Sequence, residues 1–141
     1  MSRRLAQRPC RANPRTQLCR EYLEALWVLA WLGCGGDASA AESAVIAAVR
    51  DTTCDPHPDD GGDVWHAVAG RHLRRRLTPA LAAAGTTGDC AWEGYEALAL
   101  VVTGRSPTEA AAVIGVSVAQ VHHGLRRSLA ASWSIAGAVT R

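Results

Sequence analysis

Residues 92–133 read WEGYEALALVVTGRSPTEAAAVIGVSVAQVHHGLRRSLAASW. Three helices can be read from that stretch in order. Trp92 to Thr103 places Tyr95, Leu98, Ala99 and Val102 on one face and stops at Gly104. Ser106 then offers a cap, with Pro107 at the first helical position and Glu109 three residues after the cap, the reciprocal pair of a capping box. This second helix turns Ala110, Ala111 and Ile114 inward, and Gly115 permits the positive φ of a sharp turn. Ser117 caps the next helix with Gln120 in the reciprocal position, and Val121, Leu125 and Leu129 recur at i, i+4 and i+8. A small Ala111 lets the two helices cross closely, while Val116, Val121 and Leu125 fill the angle between them. Two capped helices meeting at one glycine predict a helix-turn-helix in a domain spanning 92–135. A two-helix hairpin in a purely structural bundle is the competing reading.

Working upstream, Gly85 to Asp89 (GTTGD) marks a linker, taken as 85–91, behind a first helical subdomain over 20–84. Within that subdomain, helix structure is expected from near Glu21, with Leu23, Leu26, Trp27, Ala30 and Trp31 buried and Gly33 ending it. Trp27, Trp31 and Trp65 read as core. Ser39 and Glu42 form a capping-box signal for a second helix bearing Ala41, Ala44, Val45, Ala48 and Val49. Asp55 to Gly62 is a loop by composition. Asp63 is placed to cap a third helix that turns Val64, Trp65, Val68, Ala69, Leu73 and Leu77 inward and Arg71, Arg74 and Arg75 outward, with Pro79 closing or restarting it. Residues 1–19, with Pro9, Pro14 and dispersed Arg, read as a flexible arm.

Composition agrees with an all-α chain of two small helical subdomains. Apolar residues make up 48% of the sequence, Ala contributes heavily, and Phe is absent. The net charge of +2 conceals segregation: six Arg and no acid in residues 1–20, then nine acids against Arg50 alone in residues 21–70. Every Lys/Arg position is Arg, a usage attributed to genome composition. Five cysteines without a C-x-x-C pair spell neither a disulfide framework nor a standard zinc site, even with His57, His66 and His72 downstream of Cys54, so no metal or cofactor is expected. The longest apolar run, Ala25 to Leu32, is too short for a membrane span, and Glu21 and Glu24 spoil the pattern of a signal peptide. A nucleophile with a base at meaningful spacing, paired catalytic carboxylates and a phosphate-cradling glycine loop are all missing, which predicts a non-enzyme.

The segment EALALVVTGRSPTEAAAVIGVSVAQVHHGLRRSLAA resembles region four of bacterial RNA polymerase sigma factors of the extracytoplasmic-function type. Upstream, EALWVLAWLGCGGDASAAESAV is similar to the start of sigma region two, and DVWHAVAGRHLRRRL looks like its later helix, so the likeness covers about Glu21 to Trp133. The resemblance implies a cytoplasmic protein that recruits core RNA polymerase to promoter DNA, with an anti-sigma factor as a further partner. Region two would hold polymerase and open the −10 element; region four would read the −35 element. The chain departs from the family at Ser43, Ile46 and Ala47, where acidic and amide residues are usual, and at Gly124, where a basic residue is common.

A recognition helix presents its N-terminal turns to base edges and later basic residues to phosphates. On that geometry Ser117, Gln120 and His123 are the candidate base readers, Gln120 first because its amide can pair bidentately with adenine. Arg126 and Arg127, with Arg105 from the preceding loop, are candidate phosphate contacts. Arg71, Arg74 and Arg75 are candidate upstream promoter contacts. Two other functions fit the same residues: a stand-alone helix-turn-helix regulator, and a helical interaction or Cys/His metal-binding module that does not touch DNA.

Overall fold

The computed structural model describes residues 14–54, 62–85 and 88–139, with side chains except at 14–21, 63, 89, 90, 131, 132 and 134–139. Among the described residues there are six elements, all helices: α1 (Pro14–Gly33), α2 (Ala38–Cys54), α3 (Gly62–Ala83), α4 (Asp89–Val102), α5 (Pro107–Ile114) and α6 (Val118–Val139). The all-α expectation holds among the described residues.

Several boundaries differ from the sequence reading for local reasons. α1 is described from Pro14 onward, so helix already runs through the later part of the stretch read as an arm. Residues 1–13 lie outside the described residues, as does the stretch 55–61 with His57. The cap of α2 is Asp37 rather than Ser39. Its carboxylate accepts from the Ala40 N–H at 3.1 Å, so the helix is already under way at Ser39. Asp63, the expected cap, lies inside α3, which is helical from Gly62. Pro79 lies within α3 instead of closing it, and the turn beyond it is held by Leu81, which is buried in the core. α4 takes in Asp89, Cys90 and Ala91, which had been assigned to the linker.

One apolar core runs from Tyr22 to Val121. α1 packs against α2, α3 and α4, while α4 packs against α5 and most extensively against α6. Trp92 and Leu81, from either side of the expected linker, belong to the same core cluster. Leu26, Leu29, Leu73 and Leu100 are fully enclosed, and each such side chain contributes about 1.5–3 kcal/mol by leaving water.

The inward faces are narrower than the sequence suggested. Trp65 is buried and Trp31 half-buried, but Trp27 is 39% exposed and its i−4 neighbour Leu23 is exposed as well. Among the described residues they lie on an exposed face of α1. Val102 and Leu129, both expected inside, are exposed. Of the cysteines, Cys34 is a half-buried thiol whose pKa is raised by burial and by Asp37, and Cys54 is exposed; the side chains of Cys10, Cys19 and Cys90 lie outside those described.

Among the described residues no helix is long and apolar enough to cross a membrane. Among them, too, no group of His, Cys, Asp and Glu is placed to hold a metal ion.

Candidate nucleic-acid interface

The turn between α5 and α6 is fixed by both capping boxes. Ser106 Oγ accepts from the Glu109 N–H at 3.1 Å while Glu109 accepts from the Ser106 N–H at 3.3 Å. Ser117 Oγ accepts from the Gln120 N–H at 3.1 Å, and Gln120 Oε1 accepts from the Ser117 N–H at 2.8 Å. Gly115 between them has φ 84°, a left-handed conformation that a side chain would strain, and its N–H reaches the Ala111 carbonyl at 2.9 Å. Both boxes satisfy donors that a helix start otherwise leaves to solvent. Ser106→Ala is expected to cost about 1 kcal/mol of stability, read as a lower urea midpoint with unchanged slope.

α6 is split lengthwise. Val121, Gly124 and Ser128 are buried against the rest of the fold, whereas Gln120, His122, His123, Arg126 and Arg127 are exposed. Gln120, His123 and Arg127 follow at i, i+3 and i+7, so they form one stripe, with Arg126 beside it. The predicted readers Ser117, Gln120 and His123 therefore share an exposed surface with the predicted phosphate contacts Arg126 and Arg127. One of Gln120's two carbonyl lone pairs is used by its own cap, which leaves the second and the NH2 group for a base. Glu93 of α4 lines the same shallow apolar groove, of about 310 Å³, that Gln120 and His123 border.

The other predicted contacts are placed differently. Arg105 is half-buried, with its guanidinium stacked 4.2 Å from the centroid of the Tyr22 ring, a cation–π contact that ties the loop before α5 to α1. Arg74 is also half-buried, 5.9 Å over the Trp92 ring. Arg71 and Arg75 are exposed, so the expected cluster of three outward arginines is a pair plus one packed member. Neighbouring Arg76 makes a bidentate bond to Asp51 of α2, at 2.9 and 3.0 Å, which holds the Asp51 carboxyl below the usual range.

Two features carry no clear mark in the sequence. Gly124, read as a lost basic contact, sits at the crossing of α6 with α4: a Cβ on it would lie 3.0 Å from the Gly94 Cα. A Cβ on Gly94 would lie 2.6 Å from Ser128 Oγ and 3.0 Å from the Gly124 carbonyl oxygen. Two mid-helix glycines thirty residues apart were the available signal, since each costs about 1 kcal/mol unless a close approach needs it. The second feature is Glu96, whose carboxyl is pushed up to about 7, chiefly by burial and then by Glu93, against the opposing effects of a hydrogen bond with Trp92 and the charge of Arg74. An acid between Tyr95 and Ala97 in an apolar run was its only trace.

Comparison with protein-family models, with curated proteins and with solved structures gave no match to this chain.

Proposed function

We propose that this chain is a sigma-factor-like protein that binds promoter DNA, with α5 and α6 acting as a helix-turn-helix and α6 as the recognition helix. The observation that carries the reading is the division of α6. Its buried edge is seated on α4, and its first turns present Gln120 and His123 in line with Arg127. In the major groove Gln120 donates from its NH2 group to a base, while Arg126 and Arg127, one to two turns on, meet phosphates. Ser117 stands at the N-terminal end of the same surface, where the N–H groups of a first turn favour a phosphate. Arg105 reaches the backbone only by leaving Tyr22, so it contributes less than the two α6 arginines. The partners are promoter DNA and core RNA polymerase, with an anti-sigma factor as a further one, and the place of action is the bacterial cytoplasm.

The shared core favours a second reading. By their numbering, the centres of a −35 and a −10 element lie about 25 base pairs apart, about 85 Å along B-form DNA at roughly 3.4 Å per pair. A single compact body of this length is about 40 Å across. In the closed arrangement the chain engages one element at a time, as a stand-alone regulator does. Sigma activity requires α1–α3 to separate from α4–α6, exposing Trp92 and Leu81.

The deciding experiment is co-purification of the whole chain with core RNA polymerase, followed by run-off transcription on a promoter library. A stable complex that initiates at defined sites is the expected result. DNA binding without polymerase binding moves the assignment to the stand-alone regulator; loss of both discards the DNA reading. In DNA titrations Arg127→Ala is expected to weaken binding by about tenfold and to reduce the slope of log K against log salt by about 0.9. Gln120→Glu keeps the acceptor that closes the cap but removes the amide donor. It is expected to relax the preference at one base pair by about 1–2 kcal/mol.

A further inference from the structure

A cleft of about 420 Å³ opens where α3, α4 and α5 meet. Gly70, Arg71 and Arg74 of α3 form one wall, Trp92 and Glu96 of α4 another, and Val113 and Ile114 of α5 the third. None of its lining residues belongs to α6. Its size is that of a small-molecule site, and it joins apolar walls to a few convergent charged groups, as such sites do.

Gly70 gives the cleft its second mark. It is buried in mid-helix, where glycine is unfavourable, yet a Cβ built on it would meet no described atom within 4 Å. Packing among the described residues therefore does not require a glycine there, in contrast to Gly94 and Gly124. What the missing side chain preserves is the open volume of the cleft.

We propose that this cleft binds a small organic monoanion with a flat, apolar body. Arg71 and Arg74 hold the charged end, and the body lies between Trp92 and the Val113–Ile114 edge of α5. Two arginines outweigh the single carboxylate of Glu96, which excludes a cationic ligand. The apolar walls and the half-open mouth favour a ring-sized body over an inorganic ion. The charges acting on Glu96 are Arg74 from α3 and Glu93 from its own helix; Arg71 and His66 are the remaining charged or titratable groups on the cleft wall, and α5 presents only apolar residues. An anion competes with ionised Glu96 for Arg74 and is repelled by its charge, so it binds more tightly when that carboxyl is protonated.

The test is calorimetric titration of the whole chain with naphthoate, and with uncharged naphthalenemethanol for comparison. Naphthoate is expected to bind with a dissociation constant of roughly 0.1–1 mM, and the alcohol at least about tenfold more weakly. Affinity for naphthoate is expected to fall several-fold between about pH 6 and about pH 8, a dependence that Glu96→Gln removes. Arg71→Gln, at an exposed position, is expected to weaken binding by about tenfold. Gly70→Leu fills the cleft and abolishes binding, while Gly70→Ala raises Tm by about 3 °C and weakens binding less. Absence of saturation below about 10 mM overturns the proposal, as does equal binding of the alcohol or indifference to both Arg71→Gln and Gly70→Leu. No DNA enters the measurement, so its outcome is independent of the promoter-binding reading.

Discussion

Gly94→Leu is expected to destabilise the chain by roughly 3 kcal/mol, the largest loss foreseen for a single exchange at a helix crossing here. The reason is backbone proximity. At this crossing even a first carbon would fall 2.6 Å from Ser128 Oγ and 3.0 Å from the Gly124 carbonyl oxygen, and Gly124 is itself limited by the Gly94 Cα at 3.0 Å. A flexible side chain could rotate away, but a carbonyl and a Cα inside two helices move only with their helices. Against this stands the gain of about 1 kcal/mol that a helix draws from losing a glycine, so Gly94→Ala is expected to cost less than Gly94→Leu. Gly70→Ala provides the opposite sign, because the same propensity gain meets open space. Urea unfolding of the three variants separates the two effects. If Gly94→Leu cost less than about 1 kcal/mol, α4 and α6 would not be in backbone contact. The crossing also bears on function, since α6 carries Gln120, His123 and Arg127, and a displaced α6 presents them at another angle.

That pair of glycines shows where the sequence could be read and where it could not. The α5–α6 turn was legible because everything that makes it is local: Ser106 with Glu109, Ser117 with Gln120, and Gly115 between them. The helical class followed from composition and periodicity in the same way. Gly124 reads in the sequence only as a departure from a common basic residue, because the close approach that suits a glycine there is to Gly94, thirty residues away on α4. Arg74 read as an outward cation from its helical position and Arg105 as a phosphate contact from its loop, since local position tells only where a side chain leaves the backbone. It does not tell whether Trp92 or Tyr22 waits there to receive it. The core that joins α1 to α4 was hidden for a similar reason. A glycine-rich connection looks the same in sequence whether its flanking helices separate or pack together.

The second large effect depends on pH and turns on Glu96. In the folded chain its carboxyl titrates at about 7 against an ordinary value of 4.5, with burial the main cause and Glu93 the next. The folded state therefore holds a proton that the unfolded chain has already released, and stability falls as pH rises through this window. Below 4.5 the group is neutral in both states and carries no penalty; above about 7 the penalty is complete, at about 3 kcal/mol. Glu96→Gln stays neutral throughout and keeps an acceptor for the Trp92 N–H. It is expected to match the parent chain near pH 4.5 and to exceed its stability by about 2–3 kcal/mol near pH 8, measured as urea midpoints at the two values. A difference of the same size at both pH values would assign the effect to packing rather than to charge. A fold that keeps an acid at such a cost, beside Arg71 and Arg74 in the cleft that Gly70 leaves open, holds a site whose charge changes near neutrality. Replacing Glu96 is then expected to stabilise the chain and to remove the pH dependence of anion binding together, because one buried carboxylate causes both.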